Sequence, residues 1–164
     1  MKLFASAAAA ASILVLVLPA AQVVATTGEE PTRAEYAAEV EPICKRNTEA
    51  NEKILKGVRA QVTHGQLKQA GARFVKASSA LRGTVRQLRA VVQPPEDRET
   101  LGNWFGYLGE EAKLLGETGT KLRHGDKRGA LRLSSSLIKV ANKANAEVLD
   151  FPFRYCRSSP SKFV

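Results

Sequence analysis

Apart from Met1 the chain has no methionine, and it has only two histidines, His64 and His124, and two cysteines, Cys44 and Cys156. Each scarcity removes a class of chemistry. A Met–His haem has no methionine to use, and covalent haem lacks its Cys-x-x-Cys-His attachment site. A carboxylate-bridged di-iron centre in a helical bundle needs paired Glu-x-x-His motifs, but the positions three before the histidines are Gln61 and Lys121. Two imidazoles are also too few for a zinc site, and each stands before a glycine, the ordinary end of a helix. The serine run Ser134-Ser135-Ser136 lacks the glycines of a nucleophile elbow. The expectation is therefore no metal, no cofactor and no catalytic residue.

Acidic residues are missing from one long stretch. Between Lys53 and Pro95 the charged side chains are Lys53, Lys56, Arg59, Lys68, Arg73, Lys76, Arg82, Arg86 and Arg89, all basic. At 100° per residue Lys68, Arg82, Arg86 and Arg89 share one stripe beside an apolar face, a candidate anion-binding strip. The alternative is internal pairing with flanking acidic helices, which carry Glu35, Glu39, Glu41, Glu49 and Glu52 on one side and Glu96, Asp97, Glu99, Glu110, Glu111 and Glu117 on the other. Nucleic acid is not the expected partner, because the basic helix has no interleaved stacking aromatics except Phe74, which lies on its apolar face.

The N-terminus reads as an export signal. Lys2 precedes an apolar run from Leu3 to Leu18, Pro19 interrupts it, and Val23-Val24-Ala25 supplies small residues for cleavage after Ala25. An uncleaved anchor is the competing reading, since roughly 20 apolar residues can span a bilayer; Pro19 and the Val-x-Ala site favour removal. Residues 26–164 then form one domain, strongly basic because only Lys2 is lost from a formal net charge of +9, secreted or extracytoplasmic and without an integral span. In an oxidising compartment pairing is the rule for two cysteines, so a Cys44–Cys156 disulfide is expected.

Apolar spacing predicts an all-α, up-down-up-down four-helix bundle. The first helix opens with a capping box at Thr32 and Glu35 and runs to Val62, kinked or restarted at Pro42. The second runs from about Gln66 to Val92, with Leu67, Ala70, Phe74, Ala77, Leu81, Val85, Leu88 and Val92 facing inward. The third begins after Pro94-Pro95 and carries Leu101, Trp104, Phe105, Leu108, Ala112, Leu115 and Leu122 inward; its five glycines imply a close packing contact or movement. The fourth is capped by Asp126 and turns Leu131, Ser134, Leu137, Ile138, Ala141, Ala144, Val148 and Leu149 to the core.

Leu55, Val62, His64-Gly65 and Ala70 recur sixty positions later as Leu115, Leu122, His124-Gly125 and Ala130. Either duplication or a shared helix-turn-helix grammar accounts for that. After Asp150, Pro152 makes the chain extended. Cys44 lies 12 residues beyond Thr32, about 18 Å of helix, and the six residues from Asp150 to Cys156 reach about 20 Å. The tail is expected to fold back along the first helix, press Phe151, Phe153 and Tyr155 or a subset of them into a groove, and be pinned there by the disulfide.

Two segments carry a resemblance. Val40-Glu41-Pro42-Ile43-Cys44-Lys45-Arg46-Asn47-Thr48 with Ala50-Asn51-Glu52-Lys53-Ile54-Leu55-Lys56-Gly57-Val58, together with Phe153-Arg154-Tyr155-Cys156-Arg157, resembles a group of exported helical proteins of actinobacteria with no established activity or ligand. The resemblance implies export and the disulfide, and transfers no catalytic residue.

A polar gap interrupts the core rows of the first helix at Asn47, Ala50 and Asn51, answered by Asn142 and Asn145 in the fourth. These asparagines are a candidate ligand seam; a register-fixing amide network or a solvated face is the alternative. The reading that results is a non-catalytic exported module that binds an anionic envelope polymer or an acidic protein, with a small-ligand carrier or sensor as its alternative.

Overall fold

The computed structural model describes residues 30–163, so the export signal read at residues 1–25 lies outside the described residues. Four long helices and one short one follow in order: α1 (Arg33–Leu55), α2 (Val58–Thr63), α3 (Leu67–Ala90), α4 (Arg98–Arg123) and α5 (Lys127–Glu147). Thr32 closes the predicted capping box at the start of α1, accepting from the Glu35 amide while Glu35 accepts from the Thr32 amide. Pro42 neither breaks nor restarts the helix. The carbonyl its missing N–H would have met belongs to Ala38, and both residues face solvent, so water replaces the lost bond. The break falls instead at Gly57, whose φ of +77° suits a residue without a side chain.

The two hairpin turns share one backbone pattern. At His64-Gly65 and again at His124-Gly125 the glycine amide bonds the carbonyl three residues back, and the next amide bonds the carbonyl five back (Gln66 to Gln61, Asp126 to Lys121). This double capping ends both helices and reverses the chain. Asp126 also caps α5 by accepting from the Gly129 amide at 2.7 Å.

The short reversals place α3 against α1, α4 against α3, and α5 against α4, the up-down-up-down order. The core is one continuous apolar cluster around Trp104, Tyr36, Phe105, Leu88, Leu101, Leu122 and Leu137. Three apolar residues expected inside are outside: Val92, Leu131 and Leu149 are exposed. Val92 lies beyond the end of α3, where the chain leaves the helical path and buries Val91 in its place. On α5, Leu131, and just beyond the helix end Leu149, are replaced in the core by Val140 and by the half-buried Leu133; Ser134 and Ile138 are half-buried rather than inward.

The glycines of α4 divide into two sets. Gly119 and Gly116 meet α3, and Gly119 is so close to Gly71 that a methyl group built on it would lie 2.6 Å from the Gly71 carbonyl oxygen. Gly102, Gly106 and Gly109 face open space.

α1 and α5 make little direct contact with one another. Their seam is closed by the tail, and Cys44 and Cys156 are joined by the disulfide. Phe151 and Phe153 are buried and stack with ring centroids 5.0 Å apart, Phe153 lies 5.3 Å from Trp104, and Tyr36 meets both phenylalanines. Tyr155 stays half-buried, with Lys45 and Arg154 over its ring. Glu41 accepts from three successive backbone amides, those of Arg154, Tyr155 and Cys156, at 2.9, 2.9 and 3.1 Å. At the other end of α1, Arg33 grips the buried Asp97 through two hydrogen bonds of 2.9 and 2.6 Å, fixing the α3–α4 connection.

Candidate functional site

Two features of this fold are suited to binding, one outside and one inside. The outer one is the basic face of α3. Lys68, Arg82, Arg86 and Arg89 are all exposed, and none joins the ion pairs among the described residues, which use Arg33, Lys45, Arg98, Lys113, Lys121 and Lys162. The internal pairing weighed for these four cations is absent there. The flanking acids are spent differently: Glu41 on the tail, Asp97 on Arg33, and Glu117 on Lys113 of its own helix.

The neighbouring edge of α4 leaves these cations uncovered. Arg89 lies over the Phe105 ring, 5.0 Å from its centroid. Gly102 and Gly109 stand one turn either side of Phe105 and present bare backbone. Arg82 reaches across to Gly116, within 3.5 Å of where a side-chain carbon would sit. The α3 cations thus form an exposed basic track, with Arg82 and Arg89 lying against α4. Two other bases of the acid-free stretch have structural duties: Arg73 donates to the Lys56 carbonyl at 2.6 Å and to the Ile54 carbonyl, capping α1, and Arg59 donates to the tail carbonyl of Ser161.

The inner feature is a cavity of about 440 Å³ beneath the tail. α1 contributes Asn47, Thr48, Asn51 and Leu55; α3 contributes Leu81, Thr84 and Leu88; α4 contributes Trp104, Leu108, Glu111 and Leu115. Leu137 of α5, Cys44, Glu49 and Glu52 of α1, and the tail from Arg154 to Pro160 with Lys162 and Phe163 complete it. Of the asparagine seam, Asn47 and Asn51 line this space, joined by a 3.2 Å bond from Asn51 Nδ2 to Asn47 Oδ1. Asn145 is turned to another use, donating to the Ser158 carbonyl at 2.9 Å and accepting its amide at 2.8 Å. Asn142 is exposed and outside the cavity lining.

Glu111, absent from the candidate residues, is the polar centre of this space. It is 2 % exposed and accepts the Ser158 hydroxyl on Oε2 at 2.5 Å. A signal for it exists in the sequence: counted at helical spacing it follows Trp104 by seven, Leu108 by three, and precedes Leu115 by four, which puts it on the inward row. Its twin in the sequence, Glu110, is on the exposed side.

Burial pushes the Glu111 carboxyl up to about 7, and the Ser158 hydrogen bond opposes that only in part. The native state therefore keeps a proton that the unfolded chain releases near the ordinary value of 4.5. The stability this gives is complete below that value and is lost as pH rises through about 7. The expected result is a melting temperature that falls between about pH 5 and pH 7.5, with that fall reduced in Glu111→Gln; an unchanged slope in the variant would assign the titration to another group.

No helix among the described residues is long and apolar enough to cross a membrane, and those residues contain no group of three or more His, Cys, Asp and Glu placed to hold a metal. Comparison with protein-family models, curated proteins and solved structures found no match to this chain.

Proposed function

We propose that the protein is an exported, non-catalytic helical module that binds an anionic polymer of the cell envelope along the α3 track. The observation that carries this reading is the row of Lys68, Arg82, Arg86 and Arg89, exposed and out of ion pairing with the fold's own acids. Arginine forks suit phosphate and carboxylate groups, which they bind by charge-assisted hydrogen bonds. The leader, the disulfide and the resemblance to exported helical proteins of actinobacteria support the location.

The test is co-sedimentation with cell-wall polymer, and separately with anionic vesicles, across a salt series. Each basic residue near an anionic surface contributes about 1 kcal/mol, so Arg82→Glu/Arg86→Glu/Arg89→Glu lowers affinity on the order of 100-fold without lowering the melting temperature. Binding to polymer that is insensitive to both salt and the reversal removes the track from the function; pelleting with vesicles alone makes lipid the partner.

A second reading is favoured by the cavity itself: a carrier or sensor of a small ligand held between the helices. Its volume falls in the range of small-molecule sites, and its lining mixes leucines and aromatic rings with polar side chains.

A further inference from the structure

The cavity under the tail holds a buried carboxyl group with no ion-pair partner. Glu111 Oε1 is buried without a hydrogen-bond partner, and so are two more atoms of the lining, Asn51 Oδ1 and Trp104 Nε1. Buried polar atoms are nearly always paired, so three orphans around one space call for a reason. The cations at its mouth are engaged elsewhere: Arg154 covers the Tyr155 ring, Arg157 donates to the Leu149 carbonyl, and Lys162 pairs with Glu52. Water would satisfy the acceptors but bring no charge to the buried carboxyl.

We propose that this cavity binds a small ammonium compound with an apolar body, its N–H groups donating to Glu111 Oε1 and Asn51 Oδ1. The body lies among Trp104, Leu81 and Leu108. The inference rests on the carrier reading above and names its ligand class. A carboxylate ligand is rejected by repulsion from Glu111, and a neutral alcohol leaves that carboxyl without a counter-charge. Charge-assisted bonds inside a low-dielectric wall favour the ammonium over both. The Ser158 hydroxyl holds the other carboxyl oxygen, which leaves Oε1 for the ligand.

Hexylammonium, hexanol and hexanoate titrated into the disulfide-bonded protein test this, read by calorimetry and by the carbon-13 shift of the Glu111 carboxyl. Hexylammonium is expected to bind about ten-fold or more tightly than hexanol, hexanoate weaker than either, and the carboxyl signal to move to its ionised position on amine binding. Glu111→Gln reduces the amine to the level of the alcohol. Should that variant fail to fold, Asn51→Leu, which removes one acceptor, must weaken the amine and leave hexanol unchanged. Equal binding of amine and alcohol, or an amine that leaves the Glu111 signal in place, overturns the ammonium inference while the carrier reading stands. No binding of any of the three at millimolar concentration overturns both.

Discussion

Replacing Cys44 and Cys156 together by alanine lowers stability by about 4 kcal/mol, which for a domain of this size moves the melting temperature down by about 15 °C. The bond joins residues 112 apart. A cross-link closing a loop of about that length restricts the unfolded chain by about 4.7 kcal/mol, and the expected cost is set slightly lower because unfolded chains keep some compactness. The native fold loses little directly, since the Glu41 clasp and the stack of Phe151 and Phe153 still hold the tail. Urea unfolding of the double variant should therefore show a larger m-value as well as a lower midpoint, the mark of an expanded unfolded state. A loss below about 1 kcal/mol with an unchanged m-value would place the tail's hold in its non-covalent contacts.

Adding a single methyl group at the α3–α4 crossing costs about 3 kcal/mol, at the upper end for overpacking. In Gly119→Ala the new carbon meets the Gly71 carbonyl oxygen at 2.6 Å, the Val75 side chain at 2.8 Å and the Val75 amide at 2.9 Å; in Gly71→Ala it meets the Gly119 carbonyl oxygen at 2.5 Å. Three of these four obstacles are backbone, so relief requires the helices to separate. Alanine favours a helix over glycine by about 1 kcal/mol, too little to offset the clash. At Gly106 the same substitution meets nothing within 4 Å, and there the propensity gain stands alone. Chemical denaturation of Gly71→Ala, Gly119→Ala and Gly106→Ala should give two losses and one gain of up to about 1 kcal/mol; three gains would mean that the crossing has slack.

Helix identity and order were legible because each long helix shows its apolar face to a single core, so spacing alone reports it. Loss of that periodicity explains the errors at element ends: Val92 follows a helix already finished, and Leu131 and Leu149 sit near the two ends of α5, where fewer neighbours surround the helix. Pro42 misled because its cost depends on whether the carbonyl one turn back can reach water, which the local sequence does not state. The basic track was readable in full, since charge and angle are sequence properties. That its cations avoid the flanking acids was not, because pairing depends on where those acids spend their bonds. Asn47 and Asn51 marked one wall of the cavity, but Asn145 is consumed by a tail residue 13 positions on, and Glu111 was hidden in a pair of acids of which only one points inward.

The tail has a bearing on how the chain is made. Synthesis runs from the N-terminus, so all the helices exist before the residues that close the seam between α1 and α5 leave the ribosome. A product stopped short of Cys156 has its full complement of helices and still exposes the inside of the bundle, without the amides that Glu41 collects or the partners of Asn145 and Glu111. The leucine wall beneath the tail is covered only once the tail has docked.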